Sequence, residues 1–75
     1  MSKLLSANGD DVSRALRKAG FELDHWSGSH AIMFNPSTVR TVSVPCHRKD
    51  LQPGILHGLI KDAGLSVEQF RRLLK

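Results

Sequence analysis

Residues 26–34 have the sequence Trp-Ser-Gly-Ser-His-Ala-Ile-Met-Phe, and this stretch decides how the middle of the chain folds. The Gly-Ser pair is a turn signal, and the four apolar residues at the end predict a buried or half-buried strand over 29–35. His30 therefore falls at the start of a strand, where a rigid backbone can aim its side chain. A residue that only improves solubility is unusual there, which makes His30 the first candidate for a chemical role.

The residues before this strand predict a helix over 8–19 and a strand over 21–26, preceded by a loose leader over 1–7. Apolar residues recur in the helix at i, i+3, i+4 and i+7, Asn8 or Ser6 can cap its start, and Gly20 can end it in a left-handed conformation. The strand alternates apolar and polar residues. We expect one face to carry Phe21, Leu23 and, if the alternation persists, His25, and the other to carry Glu22, Asp24 and Trp26.

A turn and a third strand follow. Asn-Pro-Ser-Thr at 35–38 has the composition of a turn, and residues 39–45 predict a strand with Val42 and Val44 pointing inward. Pro45 ends this strand because it has no N–H to donate to the ladder.

The last third of the chain predicts two helices. Pro53 suits the first turn of the longer helix, since its missing N–H is not needed there, and Gly64 caps the end of that helix. A capping box of Ser66 and Gln69 starts a short terminal helix. The longer helix has a predicted apolar face made of Ile55, Leu56, Leu59, Ile60 and Ala63.

These elements give an α+β fold class with the order α-β-β-β-α, followed by the short helix, in a single domain of residues 1–75. Two amphipathic helices can cover one face of a three-stranded antiparallel sheet, which leaves the other face open to solvent or a partner. Alternation does not decide the face of His30, because the second strand is apolar at both phases. Strict alternation places it with Ile32 and Phe34, and a bulge at Gly28 would reverse that.

Composition restricts the class of partner and the compartment. The 75 residues carry 11 Lys and Arg against 7 Asp and Glu, a formal net charge of +4, which suits nucleic acid or an acidic protein as well as plain solubility. No apolar run reaches about 18 residues, so no membrane span is expected, and the first residues do not resemble a signal peptide. The single cysteine, Cys46, fits a reducing cytoplasm.

Basic side chains that can bind phosphate are densest at His47, Arg48 and Lys49, where a merely solvated loop is the alternative. His47 can also serve as a second proton-transfer group, and Arg40, near the turn between the second and third strands, is a further candidate for binding phosphate. Bases on helix surfaces or in the leader are weaker candidates, namely Lys3, Arg14, Arg17 and Lys18.

A metal site is not expected from the spacing of the ligand-type residues. His25, His30, His47 and Cys46 match no paired Cys/His pattern, so we predict no metal and no cofactor. Trp26 can stack on a base, anchor a partner protein or join the core. His57 is expected at the surface of the second helix or half buried.

Six short motifs occur in order along the chain: Lys18-Ala19-Gly20-Phe21, Gly28-Ser29-His30, Val44-Pro45, His47, Leu51-Gln52-Pro53-Gly54 and Ala63-Gly64-Leu65-Ser66. No one of them is specific alone. Together, over about residues 8–74, the chain resembles the HicA toxin family.

This resemblance implies an α-β-β-β-α domain similar to a double-stranded RNA-binding domain. It also implies an mRNA-cleaving toxin of a toxin–antitoxin pair, blocked by a partner antitoxin, HicB, in a hetero-oligomer. The histidine of the Gly-Ser-His motif, here His30, would be catalytic. Ser29 can donate to a phosphate or only shape the turn, and Gly28 permits positive φ there. The expected substrate-binding set is Gly28, Ser29, Arg40, His47, Arg48 and Lys49.

Histidine suits RNA cleavage because RNA supplies its own nucleophile, the 2′-hydroxyl. Unperturbed imidazole titrates at about pH 6.5, and one positioned acid or base contributes about 10²–10⁴-fold in rate. The pattern alone favours a strand-edge His30 that only hydrogen-bonds to the backbone, whereas the resemblance favours a metal-independent endoribonuclease with His30 as catalytic acid or base. A non-catalytic RNA-binding domain and a pure protein-interaction domain are the alternatives.

Overall fold

The computed structural model describes residues 6–46 and 49–74, which form three helices and one antiparallel sheet. In chain order the elements are α1 (Gly9–Lys18), β1 (Glu22–Ser27), β2 (His30–Asn35), β3 (Arg40–Pro45), α2 (Pro53–Asp62) and α3 (Val67–Leu73). The strand order is β1-β2-β3, with antiparallel pairing on both sides of β2. The predicted α+β class and element order are confirmed.

The helices cover one face of β2 and β3 and leave the other open, whereas β1, at the edge of the sheet, is exposed along its length. Met33, Val42 and Val44 are fully buried where α1 and α2 pack on β2 and β3, whereas Thr41 and Ser43, the alternate residues of β3, are exposed. Burying side chains of this size stabilises the fold by about 1.5–3 kcal/mol each. The predicted inward direction of the two valines is confirmed, and the exposed side of the sheet is hereafter called the open face.

The helix ends follow from their caps. The Asn8 side chain accepts a hydrogen bond from the Asp11 N–H at 2.9 Å, and the Asp11 carboxylate accepts one from the Asn8 N–H at 3.1 Å. Ser66 and Gln69 form the same reciprocal box at α3, and Gly20 has φ +100° just beyond α1. These predicted caps are confirmed, with Asn8 as the cap of α1. This helix is one residue shorter at each end than predicted because its caps lie outside it.

The prediction of a loose leader over residues 1–7 is wrong at its end. Ala7 is buried in the core, its carbonyl accepts the Leu51 N–H at 2.9 Å, and the Ser6 hydroxyl donates to the Asp50 carboxylate. The two paired segments are far apart in sequence, so no local periodicity predicts their contact. Residues 1–5 lie outside the described residues.

Two apolar positions differ from their predictions. Ile55 is 47% exposed, because it lies about 90° around the helix from the middle of the stripe formed by Leu56, Leu59 and Ile60. Val39 was expected in the third strand, but β3 begins at Arg40 and Val39 lies in the preceding turn with φ +57°.

Within residues 6–46 and 49–74, none of the helices has both the length and the apolar character needed to cross a membrane.

Candidate active site

A two-residue turn joins β1 to β2 and places His30 at the start of β2. Ser27 pairs with His30, so Gly28 and Ser29 form the turn. Gly28 has φ +60°, as the first central residue of a type II′ turn requires. A Cβ at Gly28 would meet nothing within 4 Å, so this glycine serves the backbone conformation and leaves open space beside the turn. The predicted turn is confirmed.

The backbone of His30 is held from both sides. Because β2 is the central strand, His30 pairs with Ser27 of β1 and with Pro45 of β3. Just beyond this pair, the Cys46 N–H donates to the Ser29 carbonyl at 3.0 Å. Pairing on both sides fixes the direction in which the Cα–Cβ bond of His30 leaves the sheet.

The side chain of His30 lies on the open face. Along β2, His30 is exposed, Ala31 and Met33 are buried, and Ile32 and Phe34 are half-buried. This strict alternation places His30 on the same side as Ile32 and Phe34. The sequence left the face of His30 undecided. The structure places His30 on the face opposite the helices, and no bulge at Gly28 reverses the alternation.

A β-bulge lies instead in β1, at Asp24. Leu23 pairs with Met33 and His25 pairs with Ile32, so Asp24 is an extra residue without a partner on β2. An extra residue of this kind reverses the alternation of every side chain after it.

The bulge overturns two predicted side-chain directions. His25 was expected to share the face of Leu23 if the alternation persisted, but it pairs with Ile32 and lies with it on the open face. Trp26 was expected on the other side from Leu23, but it pairs with Ala31 on the helix side, at the outer edge of the sheet, and is 56% exposed. A core role for Trp26 is therefore wrong.

The bulge also brings a carboxylate to the ring of His25. Nδ1 of His25 lies 2.6 Å from Oδ2 of Asp24, with both side chains more than half exposed. An ionised carboxylate can only accept, so Nδ1 carries the hydrogen of this bond. The other ring nitrogen, Nε2, is left to exchange a proton with another group.

Arg40 stands apart from His30. It pairs with the buried Asn35, on the helix side of the sheet and about 17 Å along β3 from Pro45. Its guanidinium donates to the Asp62 carbonyl at 3.2 Å, at the end of α2. The structure therefore does not bring Arg40 and His30 together.

Lys49 is the described member of the basic loop. It is exposed and follows Cys46 by three residues, so three Cα steps keep it within about 11 Å of Cys46. The Cys46 N–H is hydrogen-bonded to the Ser29 carbonyl, so this limit ties Lys49 to the end of the sheet that carries His30. His47 and Arg48 lie outside the described residues.

The weaker basic candidates lie on helices. Arg14 is exposed and pairs with Asp11 at 2.9 Å. The side chains of Arg17, Lys18 and His57 are likewise exposed on helices, and Lys3 lies outside the described residues. Within 6–46 and 49–74, no three His, Cys, Asp or Glu side chains form a group that could hold a metal ion.

The open face therefore offers proton-transfer chemistry. Two imidazoles, of His25 and His30, lie on it at the end of the sheet where the Gly28-Ser29 turn joins β1 to β2. Imidazole is the side chain most often used as a general acid or base. The sequence motifs predicted His30 as a site residue. They did not predict that His25 lies on the same face.

Comparison with known protein families gives a match over most of the chain. The model of a family described as the HicA toxin of bacterial toxin–antitoxin systems matches residues 9–65, which span α1, the whole sheet and α2. A search of curated proteins finds no significant match. Since the family match extends over more than half of the 75 residues, the chain belongs to the HicA toxin family.

Proposed function

We propose that this toxin is a metal-independent endoribonuclease that cleaves mRNA, with His30 as a catalytic acid or base. The observation that carries the proposal is the placement of His30: exposed on the open face, on the central strand, with its backbone paired on both sides. A catalytic group must be held in position by a rigid element and still reach its substrate. His30 meets both conditions.

The reaction begins at the RNA itself. The 2′-hydroxyl loses a proton and attacks the adjacent phosphorus, the bond from phosphorus to the 5′-oxygen breaks, and that oxygen gains a proton. The upstream fragment ends in a 2′,3′-cyclic phosphate and the downstream fragment begins with a 5′-hydroxyl. His30 accepts the first proton or donates the second.

The surroundings of His30 suit a phosphodiester. The space beside Gly28 is free of protein atoms within 4 Å of a Cβ there, so a backbone phosphate can approach the turn. Ser29 supplies a hydroxyl, and Lys49 a cation from the adjoining loop. We assign His47 and Arg48 to the same phosphate-binding set because they precede Lys49 directly in the sequence. Positive charge here offsets the charge that develops on phosphorus.

Membership of the family implies an antitoxin partner. We propose that this partner is a HicB-like protein whose acidic surface covers the open face and His30, in a toxin–antitoxin hetero-oligomer. The net charge of +4 favours an acidic partner, since complementary charge accelerates encounter. Covering the open face blocks access of RNA to His30.

The test compares the native protein with His30→Ala and with the control His57→Ala, which removes an exposed histidine on α2. Each is incubated with a labelled mRNA in the presence of EDTA. We expect the native protein and the control to cut, and His30→Ala to cut about 10²–10⁴-fold more slowly. The upstream fragments should carry a 2′,3′-cyclic phosphate.

Other results would contradict the proposal in distinct ways. Binding of RNA without cleavage by the native protein would support a non-catalytic RNA-binding domain. A 3′-hydroxyl on the upstream fragment would exclude attack by the 2′-hydroxyl. Equal cleavage by His30→Ala, with its fold verified by circular dichroism, would place the activity elsewhere, and His47 would be the next residue to test.

A further inference from the structure

We propose that His25 is the second proton-transfer group of this site, acting on the same phosphodiester as His30, with Asp24 holding its ring. This inference rests on the proposed ribonuclease function and deepens it, because it names the partner that His30 needs. It also gives a role to the bulge in β1 and to the Asp24–His25 contact.

Cleavage of RNA moves two protons at two different oxygens. One imidazole takes the proton of the 2′-hydroxyl through its Nε2 as the oxygen–phosphorus bond forms. The other imidazole, protonated at the start, gives its proton to the departing 5′-oxygen as the second oxygen–phosphorus bond breaks. Afterwards the first ring is protonated and the second is neutral, and exchange with water restores both.

The sheet places His25 where the second group is needed. His30 pairs with Ser27, and His25 lies two residues before Ser27 on the same strand and the same face. The two histidines are therefore diagonal neighbours, whose positions in antiparallel strands lie about 7–8 Å apart. A phosphodiester fits between the two histidines. Each imidazole can then reach one of its oxygens at a hydrogen-bond distance of about 2.6–3.2 Å.

The bulge is what creates this placement. Without Asp24 as an extra residue, alternation would turn His25 to the helix side of the sheet, away from His30. With it, His25 faces outward, and Asp24 lies 2.6 Å from its Nδ1. The carboxylate fixes which nitrogen carries the hydrogen and leaves Nε2 for substrate, the arrangement used wherever an acidic side chain orients a catalytic histidine.

A purely structural role does not account for the pair. The side chains of His25 and Asp24 are 59% and 58% exposed, and exposed ion pairs contribute little to stability. Among the described residues, His25 is the only histidine besides His30 on the open face, since His57 lies on α2. Bulges occur with special frequency next to active sites, where they redirect a side chain.

The test uses the linkage that the native protein cuts, once it has been mapped in a short RNA. Cleavage rates of the native protein, His25→Ala, His30→Ala and the control His57→Ala are measured on this RNA. The rates are then measured on the same RNA with the leaving 5′-oxygen replaced by sulfur. A sulfur leaving group departs without protonation, because thiols are far stronger acids than alcohols. The defect of a variant that lacks the general acid therefore disappears with sulfur.

On the ordinary RNA we expect His25→Ala to be about 10²–10⁴-fold slower than the native protein, with unchanged thermal unfolding. On the sulfur-substituted RNA we expect one of the two histidine variants, and only one, to recover the native rate. The histidine whose variant regains the native rate is the general acid, and the other histidine is the general base.

Three results would overturn the inference. If His25→Ala cuts the ordinary RNA as fast as the native protein, His25 transfers no proton, while the proposed function with His30 stands. If both variants recover on sulfur, or neither does, the two histidines do not divide the two transfers. If the native protein cuts no RNA at all, the proposed function fails and the inference fails with it.

Discussion

At the scale of single residues, Val39 carries strain in the backbone. It has φ +57°, a conformation that brings the Cβ of a β-branched residue too close to its own backbone and costs about 1–2 kcal/mol. The residue is 74% exposed, so burial of its side chain does little to offset this cost. Its N–H donates to the Asn35 carbonyl at 2.7 Å, which holds the turn in this shape.

Replacing Val39 by a residue that tolerates a positive φ should therefore stabilise the protein. We expect Val39→Asn to raise the free energy of unfolding by about 0.5–1 kcal/mol, measured by urea denaturation. Val39→Thr is the matched control, because it adds polarity but keeps the β-branch, and it should give no gain. A gain of equal size in both variants would assign the effect to exposed apolar surface instead.

Residues also differ in how well sequence alone places them. The caps Asn8, Gly20 and Ser66 were predicted because each signal is confined to four or five neighbouring residues. His30 was placed at a strand start for the same reason. The direction of His25 was not predictable, because a bulge depends on pairing with another strand and leaves no mark on the alternation of β1 itself.

At the scale of elements, the start of α1 lies in close contact with the end of β3. A Cβ on Gly9 would overlap the carbonyl oxygen of Pro45 and lie 2.6 Å from Cα of Cys46. Both obstacles are backbone atoms, which cannot move aside as a side chain can. Pro45 is also the partner of His30 on β3, so this contact supports the site from below the sheet.

Substituting this glycine should separate α1 from β3. We expect Gly9→Ala to lower the free energy of unfolding by about 1–3 kcal/mol, as overpacking does. Gly58→Ala in α2 is the control, since a Cβ there meets nothing within 4 Å, and it should stabilise by about 0.5–1 kcal/mol through helix propensity. Thermal unfolding of both variants measures these changes. An unchanged stability of Gly9→Ala would show that α1 and β3 are not tightly packed.

The boundaries of elements were predictable to within about two residues, since periodicity, prolines and caps act locally. The contact between Ala7 and Leu51 was not, because backbone hydrogen bonds between distant loops depend on the finished fold. Ile55 was misplaced for a related reason. The width of the apolar stripe on α2 is set by how the helix rests on β3, which periodicity alone does not give.

At the scale of the whole molecule, the two sides of the sheet have separate tasks. The helices bury the core against one side, and the other side carries the two histidines. The position of Arg40 fits this division: its bond to the end of α2 belongs to the packed side. The sequence predicted that one face would stay open, but could not decide that His30 lies on it, since both phases of β2 are apolar.

This division predicts how RNA affinity responds to salt. Binding to single-stranded RNA weakens with salt in proportion to the number of phosphates neutralised, with a slope of log affinity against log salt of about −0.7 for each. If RNA lies on the open face, Lys49→Ala should reduce the magnitude of the slope by about 0.7. Arg14→Ala removes an exposed cation on α1, on the opposite side, and should leave the slope unchanged. Fluorescence anisotropy with a 2′-O-methylated RNA, which lacks the nucleophile, measures binding without cleavage. A reduced slope in Arg14→Ala, together with an unchanged slope in Lys49→Ala, would place the RNA over α1 instead and separate it from His30.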